Sequence, residues 1–230
     1  MLYVDDILII GNNIPILQSV KTWLGKCFAM KDLGEASHIL GIQIYRDRSK
    51  RLIRLSQSMH IDKVLKMFSM SNSKKGMVSK VLGKSLSKAG CPLTREPMDY
   101  ISKIPYASII GSIMYAMLCA RPDVAYALSM TSRFQSDPSE SHWTAVKNIL
   151  KYLRRTKDVF LVYGGQKGEL VLSGYTDAGF QSDHDDFRSQ SGFVFCLNGG
   201  VVSWRSSKQD NVADAVSVSP SPNTLYLCIM

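Results

Sequence analysis

The chain has 230 residues, is 45% hydrophobic and carries a net charge of +9, which excludes a disordered polyelectrolyte and allows one large or two small cored domains. Its five cysteines (Cys27, Cys91, Cys119, Cys196, Cys228) include no C-x-x-C pair, so neither zinc-ligand spacing nor a disulfide framework is indicated and reduced intracellular thiols are expected. No basic segment precedes an apolar run at the N-terminus, and the longest apolar stretch, 104–120, is interrupted by Pro105, Tyr106, Ser108 and Ser112; a secretory signal and a membrane span are both disfavoured.

The charge is uneven. Residues 1–90 are net +9, 91–165 net +3 and 166–230 net −3. The basic first part suits a polyanion such as nucleic acid, or is simply a solvated basic surface. The acidic last part suits a cation site better than a phosphate surface.

The chain opens on Leu2-Tyr3-Val4-Asp5-Asp6-Ile7-Leu8-Ile9-Ile10-Gly11. Two carboxylates lie between apolar β-favouring runs, the pattern of a hairpin with the Asp-Asp pair at its tip. Like charges that close need a cation between them, and Mg²⁺ prefers such oxygens. An ordinary Asp-Asp turn satisfies the same local pattern.

Asn13 and Pro15 predict a helix start, and Leu17, Val20, Leu24, Cys27 and Phe28 recur at helical spacing, one face inward. Gly34 is a stop signal. Leu40, Ile42 and Ile44 alternate with polar or small residues as in a half-buried strand; a basic turn, 46–51, and a return through Leu52–Leu55 complete a hairpin. A helix follows through Ile61, Val64, Leu65 and Phe68, with His60 a surface or packing histidine. Residues 71–104 turn Ser-, Lys- and Gly-rich and predict a linker or long loop. Gly76 and Gly83-Lys84-Ser85 within it have the wrong spacing for a phosphate-binding loop.

From Tyr106 a helix presents Ile109, Ile113 and Met117. Arg121-Pro122-Asp123 breaks it, and a second helix runs to about Phe134. Asp137-Pro138-Ser139-Glu140 predicts the start of a third, with Asp137 as cap; it runs to about Arg155 with Trp143, Val146, Ile149, Leu150 and Leu153 inward. Lys147, Lys151, Arg154 and Arg155 on it either touch a phosphate backbone or keep the helix soluble. After Gly164-Gly165 the period becomes two. Leu170 and Leu172, then Phe193, Phe195 and Leu197, then Val201 to Trp204 predict three strands, with a turn at Gly199-Gly200. Between the first two lies Tyr175-Thr176-Asp177-Ala178, then the acidic loop Asp183-His184-Asp185-Asp186. Residues 215–230 contain no acid or base.

Three blocks in order resemble the C-terminal part of the Pol polyprotein of copia-type LTR retrotransposons. The first is Tyr3-Val4-Asp5-Asp6 with Met30-Lys31-Asp32-Leu33-Gly34 and Leu40-Gly41-Ile42. The second runs from Pro105-Tyr106 to Tyr163 and includes Ile110-Gly111-Ser112-Ile113-Met114-Tyr115, Arg121-Pro122-Asp123-Val124-Ala125, Ser132-Arg133-Phe134, His142-Trp143 and Leu150-Lys151-Tyr152-Leu153. The third is Gly174-Tyr175-Thr176-Asp177-Ala178, Ser191-Gly192-Phe193-Val194-Phe195, Val202-Ser203-Trp204 and Ser207-Lys208-Gln209.

The resemblance implies an α+β fold. It divides into a partial reverse-transcriptase palm and thumb with the primer-grip region (1–70), the linker (71–104), a helical connection (105–165), a truncated RNase H-like domain built as a three-stranded meander (166–214) and a divergent tail (215–230). It implies that Asp5 and Asp6 are catalytic Mg²⁺ ligands of an RNA-directed DNA polymerase, that Asp177 is the first metal-binding carboxylate of an RNase H, and that the partner is an RNA/DNA template–primer inside the cell, in cytoplasm or nucleus.

Both sites are expected to be incomplete. The third palm aspartate, the fingers and the nucleotide pocket would precede residue 1. In place of the family's Thr-Glu-Ala-Glu-Tyr-like helix the chain reads Asn211-Val212-Ala213-Asp214-Ala215, and no Glu follows Glu169. Ala178-Gly179-Phe180 stands where the family has Ala-Asp-Trp. A catalytically inactive fragment is the first expectation and a non-enzymatic nucleic-acid binder the second. A secreted effector is a third, which the missing signal and the family resemblance oppose.

Overall fold

The computed structural model describes residues 2–3 (backbone), 6–77, 86–87, 103–164, 171–179, 183 and 185–210. Strand β1 (Leu2–Tyr3) pairs antiparallel with β2 (Asp6–Ile7), Leu2 with Ile7 and Tyr3 with Asp6. Two residues separate the strands, the loop length that best matches strand twist. Asp6 therefore belongs to the returning strand rather than to the tip. Asp5 lies outside the described residues.

Helix α1 (Ile14–Cys27) starts as its sequence predicts: the Asn13 side chain accepts from the Ile16 N–H at 3.1 Å, and Pro15 sits in the first turn. Its inward face is a correction. Leu17 and Leu24 are half-buried, while Val20, Cys27 and Phe28 are exposed, and no α1 residue is buried. Helical periodicity specifies an apolar stripe; burial needs a second element against it, and none of the described elements covers this one.

A four-stranded antiparallel sheet follows, in the order β3 (His38–Ile39), β4 (Ile42–Asp47), β5 (Leu52–Ser56), β6 (Leu161–Gly164). The strand expected to run through Leu40 is instead broken there. Leu40 and Gly41 both have positive φ, 51° and 71°, and form a two-residue turn between β3 and β4. Residues 161–164, expected to close the helical connection, form β6 and pair with β5 from Leu52↔Gly164 to Leu55↔Leu161. Gly164, at φ 92°, is required by close approach: a Cβ there would lie 1.9 Å from the Arg51 carbonyl oxygen.

Helices α2 (Ser58–Met67), α3 (Tyr106–Ala120), α4 (Ala125–Ser132, after a 3₁₀ turn at Pro122–Val124) and α5 (Glu140–Arg155) build the core. Ile61, Val64 and Leu65 of α2 meet Ile109, Ile110 and Ile113 of α3, Leu128 of α4, and Val146, Ile149, Leu150 and Leu153 of α5. One core thus joins elements on both sides of 71–104, and Leu86 from within that stretch is buried in it. Apart from Leu86 and Ser87, residues 78–102 lie outside the described residues.

The start of α5 is a second correction. Ser139, not Asp137, is the cap. Its hydroxyl accepts from the His142 N–H at 3.5 Å, and the Ser139 N–H donates to His142 Nδ1 at 2.9 Å, so a histidine completes the capping box where Glu or Gln is usual.

Strands β7 (Leu172–Gly179), β8 (Gln190–Leu197) and β9 (Gly200–Lys208) form the expected antiparallel meander. Leu197 pairs with Gly200, so the turn is Asn198-Gly199, both at positive φ, rather than Gly199-Gly200. Gly200 faces β6: a Cβ would come within 2.7 Å of Tyr163, whose hydroxyl donates to the Val201 carbonyl at 2.8 Å. Leu170, the tail from residue 211 onward and Phe180 are outside the described residues.

Candidate metal and nucleic-acid sites

Asp6 is solvent-exposed on β2, opposite Tyr3. Asp177 is exposed on β7, opposite Gly192 of β8. Among the described residues no group of three or more His, Cys, Asp or Glu side chains is placed to hold a metal ion. Two-metal chemistry needs several carboxylates clamping ions a few ångströms apart, and Mg²⁺ demands near-octahedral oxygen donors. The described residues do not assemble that donor set, so no catalytic step is derived through Mg²⁺.

The acidic loop is occupied by cations of the protein itself. Asp183, 8% exposed at its side chain, lies 2.7 Å from Lys208 Nζ and pairs with the Arg133 guanidinium from the end of α4. Lys208 also reaches Asp186 at 2.7 Å, and Arg188 lies 3.5 Å from the same carboxylate. Burial pushes the Asp183 carboxyl up, but hydrogen bonds from Lys208 and the Asp185 N–H, with the charges of Lys208 and Arg133, bring it below the ordinary range. Arg133 also donates to the Gln190 side chain, whose Nε2 donates to Ser129 at 2.9 Å and Ser206 at 2.7 Å. These contacts make the loop a joint that fastens the meander to α4. The sequence gives no local signal for it, since Arg133 and Asp183 are 50 residues apart.

The Leu40-Gly41 turn is braced from two helices. The Tyr115 hydroxyl of α3 donates to the Leu40 carbonyl. The His60 ring meets Tyr115 edge-on at 4.8 Å, its Nε2 is 3.3 Å from the Ser112 carbonyl oxygen, and its Cβ packs 4.0 Å from where a Gly41 Cβ would stand. His60 is a packing residue, and this contact holds a non-glycine residue in the left-handed region.

The α5 cations are unequal. Lys147, Lys151 and Arg154 are half-buried and Arg155 is exposed. Lys147 Nζ lies over the Trp143 ring at 5.4 Å, and the Gly76 N–H donates to the Lys151 carbonyl at 3.2 Å. The chain following α2 therefore crosses the middle of this face.

The hairpin, the two larger sheets and the helical core make this an α+β protein. Residues 1–81 match the family described as reverse transcriptase (RNA-dependent DNA polymerase). The chain is 45% identical over 93% of its length to a Pol polyprotein from transposon TNT 1-94 of Nicotiana tabacum, and 34% identical over 92% to that of transposon RE1 of Arabidopsis thaliana. It spans 16% and 14% of those two proteins. It is also 46% identical, over 49% of its length, to a protein of Plasmopara viticola named secreted RxLR effector protein 161, covering 79% of that protein. No solved structure matches the chain. The chain is similar over nearly its whole length to a stretch of retrotransposon Pol polyproteins, and its residues 1–81 match reverse transcriptase sequence.

Proposed function

We propose that the chain is a reverse transcriptase–RNase H segment that does not by itself transfer nucleotides or cleave RNA. The observation that carries this reading is the exposure of Asp6 and Asp177 on separate sheets. Asp6 stands exposed on a two-stranded hairpin, Asp177 stands exposed on the meander, and no described third ligand accompanies either. Asp5 and Asp6 are donors to Mg²⁺ only when a further carboxylate is brought opposite them, and Asp177 is the equivalent single donor for RNase H chemistry. The RNA/DNA template–primer is the partner this segment is built to meet.

Purified chain with Mg²⁺, labelled primer and RNA template is expected to give no extension, and a labelled RNA–DNA hybrid is expected to stay intact. Extension abolished by Asp5→Asn and by Asp6→Asn would overturn the reading.

A second reading, binding without catalysis, is favoured by guanidiniums with no described acidic partner at Arg46, Arg51 and Arg54. It expects affinity for nucleic acid that falls steeply with salt; salt-insensitive affinity would speak against it.

A further inference from the structure

A sheet edge offers a row of backbone N–H and C=O groups to any strand that can pair with them, and stable folds shorten, charge, kink or cover such rows. Among the described residues, the hairpin β1–β2 and strand β3 present edges of two residues each. Strand β6 ends the four-stranded sheet against β9, where Tyr163 meets Gly200 and Val201. The meander is different. On one side its β9 packs against α4, the 3₁₀ turn and β6. On the other side β7 pairs with β8, and no described strand pairs with its outer edge.

That edge is eight residues long and regular. The β7–β8 register runs unbroken from Leu172↔Leu197 to Gly179↔Gln190, and the irregularity of the meander lies between β8 and β9. Residues 172–179 include no proline, lysine or arginine, and their one charge is Asp177. Leu172 is 67% exposed and Tyr175 41%, and Asp177, Ala178 and Gly179 are exposed as well. Nothing in the strand itself blunts the edge.

The order of its side chains favours a second copy of the same strand. Two copies paired antiparallel about a two-fold axis keep matching faces only when one residue lies on the axis opposite itself. With Tyr175 there, Leu172 stands opposite Ala178 of the other copy, Ser173 opposite Asp177, and Gly174 opposite Thr176. The two Tyr175 rings then form a cross-strand aromatic pair, each Ser173 hydroxyl donates to the opposing carboxylate, and the two aspartates are kept apart. A strand from another protein would have to supply each of these matches, whereas this chain already carries them.

We propose that the chain self-associates through β7, two copies pairing antiparallel across Tyr175 so that two three-stranded meanders become one continuous sheet. A contact of this size makes a weak dimer.

The test is sedimentation velocity of the full chain between about 1 and about 100 μM, where a monomer–dimer equilibrium is expected. Leu172 and Ala178 are both exposed and stand about 20 Å apart along the strand, so charges placed at the two positions meet only across the axis. Leu172→Lys with Ala178→Glu is expected to tighten the dimer several-fold, and Leu172→Lys with Ala178→Lys to weaken it by a similar factor. Circular dichroism checks that each variant is folded. A full chain that stays monomeric at about 100 μM overturns the proposal. So does a dimer to which the two charge pairs make no difference; if that dimer is lost instead in Trp23→Lys, the exposed face of α1 is the interface.

Discussion

At the scale of single residues, two buried polar sites make stability depend on pH. His142 is fully buried, and its ring stacks on Phe134 with centroids 3.7 Å apart. Burial lowers its pKa from 6.5, against the opposing pull of Asp185, Asp137 and a Ser87 backbone contact. The Nδ1 that accepts from Ser139 must be unprotonated. The folded state therefore binds fewer protons than the unfolded chain, and stability present above about pH 6.5 falls as pH drops below it. His142→Gln keeps a capping acceptor without the titration. Urea midpoints measured between about pH 7 and about pH 5 are expected to fall less steeply for the variant than for the parent.

Arg121, 4% exposed at its side chain, donates to both Asp123 oxygens, at 2.9 and 2.6 Å, and to Thr156 Oγ1 at 2.6 Å; the Tyr152 hydroxyl adds a bond to Asp123 at 2.7 Å. Burial raises the Asp123 carboxyl, but the bond and charge of Arg121, then Tyr152, bring it below its ordinary value. A carboxyl depressed in the folded state supports stability above about pH 4 and loses that contribution as pH falls further. Asp123→Ala leaves a buried guanidinium short of partners. It is expected to cost about 2–3 kcal/mol at pH 7 and to flatten the acid limb below pH 4; urea titrations at the two pH values check both.

At the scale of elements, helices with similar sequence patterns have opposite energetic standing. Ile113 of α3 is fully buried, whereas Trp23 of α1 is 60% exposed. Ile113→Ala is expected to cost about 2–5 kcal/mol, and Trp23→Ala to change stability by less than about 0.5 kcal/mol, both read from denaturant melts. The hairpin β1–β2 and helix α1 were legible as elements, because alternation, an Asn cap and apolar spacing are local. That α1 lacks a covering element was not, because periodicity says which face is apolar and not what stands opposite. The meander was legible for the same local reasons. Its attachment through Arg133, Asp183, Lys208 and Gln190 was not, because it depends on which elements become neighbours. Arg133→Ala removes one of the two cations on Asp183 and the guanidinium bond to Gln190, which keeps Ser129 and Ser206. Amide exchange in β8 and β9 is expected to quicken while exchange in α3 and α5 is unchanged.

At the scale of the molecule, stability is concentrated in the core of α2–α5, with the described residues 6–36, the segment bearing Asp6, outside it. Hydrogen exchange is expected to show α1 opening readily and α5 only with global unfolding; equal protection of the two would contradict this. By itself the sequence determined the resemblance to retrotransposon Pol, the N-terminal hairpin, the helices and the three C-terminal strands, because motif order, capping and hydrophobic period are written in residues near one another. Only the tertiary structure decided that residues 161–164 return to complete the first sheet, that the acidic loop is neutralised by Arg133 and Lys208, and that Tyr115 braces the Leu40-Gly41 turn. Each of these joins residues from separate segments, and such contacts are settled by which packing buries the most apolar surface while leaving the fewest charges unpaired.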